Sequence, residues 1–362
     1  MAIPLDITIS SVGYTSAAGT GLETFWEQVQ ANNFQAGIGR YDPQGYMGAK
    51  GVRYLNRATL LYGNVAFQCI ANHPTLGERI RHHPSQVGLY DGSDLSNIED
   101  GFIFDLVAKV EGPDKASPMS APNTIDNASS SQMAIKAQIK GPNVTVCGGA
   151  CGSLQALDIS LLHLAQGLTN YGIVGTTEVT SRYHEAVRRG EQRNTTLPAA
   201  PEMGIAMGVE RTSSDPATSS YGRILAVVSG QRVRGETNET LLARLADSCC
   251  PRAAGLPLDY CIIGGGGHNL DPAVLRTALH TVGMEAQVVF PETVYGVGDN
   301  AGGLAGVLFG WGLQQGRGHQ LPPSYLDGVY NPQLPEAPQA GRHLVATVDT
   351  LGYGIMLLFS KK

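Results

Sequence analysis

The chain has 362 residues, a formal net charge of −6 and 46 glycines. This length suits two domains or one large duplicated domain, and the acidic balance without a Lys/Arg run argues against a nucleic-acid partner. No apolar run reaches spanning length, and the N-terminus lacks a basic stretch followed by an apolar core. We therefore expect a cytoplasmic protein without a membrane partner.

The six cysteines are expected to be free thiols, because no secretory signal points to an oxidising compartment. Cys147 and Cys151 are not spaced like a zinc knuckle, and no second pair accompanies them. A closed metal site needs a fuller ligand set, so we predict no metal site.

Alternating strands and helices are predicted along the first part of the chain. The apolar and β-branched patterns place strands within 8–16 and at 86–90, 144–146 and 171–179, and helices from 21, at 60–71, at 98–110 and from 154 to 167. Residues 187–220 are polar and rich in Pro, Ser and Thr, so we expect loops and a crossing point there.

A second series of similar layout follows. It comprises strands at 222–229, 259–263, 287–290, 343–349 and 355–359 and helices at 238–248, 272–282 and 302–314. Two successive β/α series suggest an internal duplication in an α/β fold.

One strand, turn and helix dominate the centre of the chain. A short strand, Val144 to Val146, is followed by Gly148 and Gly149, which permit a tight turn. Leucines at helical spacing come next. This geometry places one side chain at the positive end of a helix dipole, where a thiolate is stabilised.

The stretch resembles the nucleophile elbow of the β-ketoacyl synthases, the condensing enzymes of the thiolase fold. In a count without gaps from Gly141 and Pro142, the family's acyl-accepting cysteine falls on Ala150. Cys151 comes one residue late, and in a helix one residue is a rotation of roughly 100°. The segment 112–118 resembles the family's Gly-Pro-Arg-x-x-Ser-Pro in register, which supports the count.

The resemblance implies a thiolase-like αβαβα sandwich built from two duplicated halves. We place the N-terminal half, with the degenerate elbow, at 1–215 and the C-terminal half at 216–362.

The other catalytic positions of the family are also replaced. The first histidine falls on Gly264, with His268 four residues late in a glycine run. The lysine falls on Val294 and the second histidine on Asp299, whose carboxylate would repel a developing enolate. The glycines and turns around these positions remain, which indicates a retained fold and an abandoned reaction.

The resemblance is strongest to the chain length factor of type II polyketide synthases, a ketosynthase-like subunit without activity of its own that pairs with an active ketosynthase. It implies pairing through the strand before the elbow, formed by Val144, Thr145, Val146 and Cys147. It also implies that Leu95 and Ser120 line the tunnel for the growing polyketide, although Ser120 equally suits a solvated turn. No cofactor of its own is implied, because phosphopantetheine is carried by an acyl carrier protein that is met mainly through the active subunit.

Three alternatives remain open. The chain could be an active acyltransferase or condensing enzyme that uses Cys151 as the nucleophile, with His268 as its partner, although the sequence places no base or cation beside this thiol. It could decarboxylate malonyl groups as some relatives do, but that chemistry needs the missing histidines. It could also be a purely structural partner of an active subunit.

Overall fold

The computed structural model describes residues 6–31, 44–190, 202–212, 221–250, 258–265, 269–292, 296, 298, 300–317 and 341–360. The strands are β1 Ile7–Ser16, β2 Gly19–Thr20, β3 Val87–Ser93, β4 Asn143–Cys147, β5 Tyr171–Glu178, β6 Met203–Arg211, β7 Arg223–Gln231, β8 Tyr260–Ile263, β9 Gln287–Val289, β10 Arg342–Val348 and β11 Tyr353–Ser360. The helices are α1 Leu22–Ala31, α2 Gln44–Met47, α3 Arg57–Ala71, α4 Leu76–His82, α5 Ile98–Val110, α6 Ala128–Ala137, α7 Gly152–Gln166, α8 Arg182–Gly190, α9 Asn238–Cys249, α10 Pro272–Thr281 and α11 Gly302–Gln314.

The same strand order occurs twice. From one edge to the other, the order is β4-β3-β5-β6-β1-β7-β11-β10-β8-β9, with β2 beside β1. When the five long strands of each series are numbered along the chain, each series has the order 3-2-4-5-1 from its outer edge to the junction. The two series meet where Ile7 and Thr8 of β1 pair with Ile224 and Arg223 of β7.

Five layers follow from the packing of the helices. Helices α7 and α11 contact each other and strands of both series, whereas α3 and α6 cover the outer face of the first series and α9 and α10 that of the second. The side chains of β8 show why both faces are covered. Ile262 belongs to the central core, and its neighbours Cys261 and Ile263 belong to the outer one. The chain therefore has the predicted αβαβα arrangement with a duplicated strand order.

The predicted loops between 187 and 220 were partly wrong. Met203–Arg211 is strand β6, buried except for its last residue and paired with β1 and β5. A strand covered on both faces lacks the polar/apolar alternation by which strands are recognised. Gly208 also makes the segment harder to recognise as a strand, because glycine is uncommon in strands. The glycine is needed here because its lack of a side chain makes room for the Tyr171 hydroxyl. The proposed boundary at 215/216 lies outside the described residues.

Candidate functional site

The elbow forms as a strand, a tight turn and a helix. Gly149 has a φ of +51° and begins a 3₁₀ turn that ends at Cys151, and α7 starts at the next residue. The turn passes close to other groups, because a Cβ at Gly148 would lie 1.8 Å from Oε1 of Gln155. Gly149 is therefore needed for the left-handed backbone of the turn, whereas a side chain at Gly148 would have to displace the Gln155 side chain.

Two residues at this turn are candidates for the position of the nucleophile. Ala150 occupies the counted position and offers only a methyl group, 8% exposed. The thiol of Cys151 is fully buried and donates to the carbonyl of Tyr353 at 3.6 Å. Burial raises the pKa of this thiol far above its usual range, and the carboxylate of Asp349 adds to the rise. The thiolate, which is the nucleophilic form, is therefore strongly disfavoured.

The place counted for the first histidine is filled by close packing. A Cβ at Gly264 would lie 2.6 Å from Cγ1 of Val345 and 3.2 Å from the carbonyl oxygen of Gly302. The next residue, Gly265, has a φ of +98°, and a Cβ there would lie 3.1 Å from the carbonyl oxygen of Ala150. The end of β8 thus packs against the elbow and the start of α11, and this packing leaves no room for an imidazole.

The start of α11 completes this contact. A Cβ at Gly302 would lie 2.4 Å from Cα of Gly265, and a Cβ at Gly303 would lie 2.7 Å from Cγ of Leu154 in α7. Gly302 and Gly303 of the second series therefore pack directly around the elbow of the first series. Val294, Asp299 and His268 lie outside the described residues.

A buried carboxylate that the sequence analysis did not select joins the two series. Glu178, at the end of β5, is fully buried, and its Oε2 accepts from the backbone N–H groups of Asn300 at 2.9 Å and Ala301 at 3.3 Å. The side-chain amide of Asn300 in turn donates to the carbonyl of Thr177 at 3.0 Å. A carboxylate here satisfies free N–H groups at the start of α11 and complements its dipole. The signal for it was an acidic residue at the end of a strand that has no other charged residue.

The strand before the elbow lies at the edge of the sheet. β4 pairs in parallel with β3, and no strand pairs with its other side within the described part of the chain. Val144 and Val146 pack against the central core, whereas the Thr145 hydroxyl hydrogen-bonds Ser130 at 3.0 Å. Cys147 is exposed at the end of the strand.

The two predicted tunnel positions lie in different clefts, beside α5. Leu95 lines a cleft of about 340 Å³ together with Asp94, Phe102 and Asp126. Ser120 is exposed and lines a second cleft of about 180 Å³, which also contains residues of α5. The chain by itself therefore does not bring these two residues into one channel.

The described residues contain no cluster of three or more His, Cys, Asp or Glu side chains that could hold a metal ion. None of the helices in the described ranges is long and apolar enough to cross a membrane.

Comparison with known proteins agrees with this architecture. The sequence profile of the β-ketoacyl synthase N-terminal domain matches residues 27–202. No curated protein sequence matches the chain significantly.

Solved structures match over nearly the whole chain. A β-ketoacyl synthase from Burkholderia phymatum STM815 superposes with a TM-score of 0.79 at 14% identity, covering 99% of this chain and 100% of that chain. One chain of the structure of the ketosynthase ApeO in complex with its chain length factor ApeC, from Xenorhabdus doucetiae, gives a TM-score of 0.77 at 16% identity, covering 99% of this chain and 98% of that chain. One chain of the AntDE:AntF structure, a type II polyketide synthase acyl-carrier protein in complex with its ketosynthase bound to the hexaketide, gives a TM-score of 0.78 at 11% identity, covering 98% of this chain and 99% of that chain.

At these identities the superpositions establish the fold alone. Residues 27–202 match the N-terminal domain of the β-ketoacyl synthase family, and the chain as a whole has the thiolase-like ketosynthase fold.

Proposed function

We propose that this chain is a non-catalytic ketosynthase-like subunit, which pairs with an active ketosynthase and shapes the tunnel for its growing polyketide, as a chain length factor does. The observation that carries the proposal is the elbow itself. It retains the turn geometry but presents Ala150, and the place of the first histidine at Gly264 is filled by Val345 and by backbone atoms.

The edge strand supports pairing with a second subunit. β4 carries no charged side chain and no proline, and its outer edge is unpaired within the described residues. An edge of this kind exposes backbone donors and acceptors that another strand can satisfy. In the proposed heterodimer, Val144, Thr145, Val146 and Cys147 form the centre of the interface.

The tunnel function depends on that interface. The clefts of Leu95 and Ser120 are open to solvent, and both are lined by residues of α5. A partner subunit seated on this side would cover both clefts and could join them into one channel. The active subunit would receive its chain from the phosphopantetheine arm of an acyl carrier protein, and this chain would need no cofactor of its own.

The environment of Cys151 weighs against an independent acyltransferase. The thiol is fully buried, its hydrogen goes to a backbone carbonyl, and its pKa is raised by burial. A nucleophilic cysteine needs exposure and a base or cation that favours the thiolate.

The test is co-expression with the ketosynthase encoded beside this chain, followed by mass measurement of the intact assembly. A one-to-one heterodimer that elongates acyl groups only on the partner's cysteine is the expected result. A stable homodimer of this chain that gains an acyl group on Cys151 would overturn the proposal.

A further inference from the structure

Six of the thirteen large hydrophobic residues that are exposed in the described part of the chain lie within residues 94–126. We call residues 94–126, which comprise α5 and the turns on either side of it, the α5 face. No side chain of α5 is buried, although the helix is strongly apolar. The large exposed hydrophobic residues of the α5 face, with their exposed fractions, are Phe102 55%, Ile103 42%, Leu106 49%, Val110 73%, Met119 56% and Ile125 52%. A concentration of exposed apolar side chains of this kind is typical of an interaction site.

The same face holds most of the net charge of the protein. Its carboxylates are Asp94, Glu99, Asp100, Asp105, Glu111, Asp114 and Asp126, and its only cations are Lys109 and Lys115. Seven acidic and two basic residues leave −5, compared with −6 for the whole chain. Both lysines are already engaged, with Asp105 at 2.6 Å and with Asp114 at 3.5 Å.

Acidic and apolar groups meet in one cleft of the face. Asp94, Asp105 and Asp126 line the cleft of about 340 Å³ together with Leu95, Ile98, Gly101 and Phe102. Partial burial raises the pKa of the Cys147 thiol to about 12, and the neighbouring carboxylates of Asp126 and Asp94 add to the rise. These two acidic residues of the α5 face therefore lie near Cys147, at the end of β4.

We infer that the α5 face binds a partner subunit that presents Lys and Arg side chains around an apolar centre, and that its negative charge prevents two copies of this chain from pairing. The inference rests on the proposed heterodimer and adds how the partner is selected. A two-fold symmetric homodimer places the same patch on both sides of the interface, so the carboxylates would face each other. Charges of one sign across an interface disfavour that pairing, whereas opposite charges favour it.

The test compares two triple variants with equal net charge. The first variant, Asp105→Lys, Glu111→Lys and Asp126→Lys, changes the net charge of the α5 face from negative to positive. The control, Glu27→Lys, Glu78→Lys and Glu285→Lys, changes three exposed carboxylates outside the face. Both would be titrated against the ketosynthase encoded beside this chain, at low and at high NaCl, after circular dichroism and thermal melting have shown intact folding.

We expect the first variant to bind the partner on the order of 100-fold more weakly at low salt, while the control stays within a few-fold of the unchanged protein. Salt should weaken binding of the unchanged protein and the control, because it screens the attraction between the subunits. It should not weaken binding of the first variant, whose contact with a basic partner is repulsive.

A neutral variant, Asp105→Asn with Glu111→Gln and Asp126→Asn, tests the second part of the inference. Without the repulsion, its apolar residues should drive self-association that analytical ultracentrifugation detects at concentrations where the unchanged protein is monomeric. Equal partner affinity of the two lysine variants, or an unchanged protein that is already a homodimer by this face, would overturn the inference. In the first of these cases the heterodimer persists, so the proposed function stands. Absence of any heterodimer for the unchanged protein would overturn both.

Discussion

Ala150 marks the point at which the chain retains the shape of an acyl-transfer site without its reactive group. The turn around it is formed by Gly148 and Gly149, and the helix behind it begins at Gly152. A thiol at position 150 would stand near the start of α7, where the helix dipole favours a thiolate. The groups that would stabilise the oxyanion and the enolate are missing from the described surroundings, in which Gly264 and Gly265 pack against the elbow.

Ala150→Cys alone should therefore produce no condensation. Oxyanion stabilisation contributes several kcal/mol to acyl transfer, and a restored nucleophile does not supply it. The measurement is malonyl-dependent elongation of an acyl group by the purified variant, followed by intact mass. Appearance of an elongated product would contradict the interpretation of the elbow as inactive, and Cys151→Ala in the same background shows whether any label belongs to the neighbouring thiol.

His343 gives the molecule a dependence of stability on pH. It is fully buried between the rings of Tyr260 and Phe359, and neither ring nitrogen has a hydrogen-bond partner within the described residues. Burial lowers the pKa of His343 to about 4, against a weaker opposing effect of Asp259. The native state therefore resists protonation, while the unfolded chain takes up a proton near its ordinary pKa of about 6.5.

Because the pKa of His343 is lower in the native state than in the unfolded chain, the protein becomes less stable as the pH falls. The contribution of His343 to stability is complete above about pH 6.5 and is lost as the pH falls towards about 4, and it amounts to about 3 kcal/mol at about 1.4 kcal/mol per pKa unit. Urea unfolding at several pH values should show this loss, and His343→Phe should reduce it. An equally steep decline in the variant would assign the effect to other groups.

At the level of elements, the close approach of α11 to the end of β8 depends on glycine. A Cβ at Gly302 would lie 2.4 Å from Cα of Gly265, which is a clash with backbone and not with a movable side chain. Gly101 is also helical, in α5, but has open space around its Cβ position. Both residues lie in the first turn of a helix, Gly302 as the first residue of α11 and Gly101 as the fourth of α5, and their packing differs strongly.

Gly302→Ala should lower the free energy of unfolding by about 2 kcal/mol, because the helix must shift away from the turn. Gly101→Ala should raise it by up to about 1 kcal/mol, because alanine has the higher helix propensity. Chemical denaturation of both variants would measure the difference. Two variants of equal stability would mean that α11 does not approach the turn as closely as described.

For the molecule as a whole, Glu178 links the two β/α series at their centre. Its carboxylate accepts from two backbone N–H groups at the start of α11, more than a hundred residues further along the chain. Without it, these buried donors would lose their acceptor, at about 1–3 kcal/mol each.

Glu178→Ala should therefore destabilise the protein by about 2 kcal/mol or more, and Glu178→Gln, which keeps one acceptor oxygen, should cost less. Thermal or urea unfolding of both variants tests this, with the exposed Glu27→Ala as a control. Equal losses for the alanine and glutamine variants would show that the hydrogen bonds to α11 do not carry the effect.

Local patterns were enough for much of the architecture. The helices at 98–110 and 302–314 have the predicted bounds, and the strand, turn and helix of the elbow lie where the leucine spacing and the glycines indicated. These features depend on neighbours a few residues apart, so their period is visible in the sequence. β6 was missed for the opposite reason, because burial on both faces removes the alternation that identifies a strand.

The sequence alone determined that Ala150 stands where a nucleophile would be counted, since that conclusion needs only a resemblance and a count. The tertiary structure decided what surrounds it. The glycines at 264 and 265, which follow β8, and those at 302 and 303, which begin α11, pack around the elbow. Glu178 reaches α11, and the predicted tunnel residues Leu95 and Ser120 lie in separate clefts. Such contacts join segments distant along the chain, and their existence depends on how the layers pack, which no local period records.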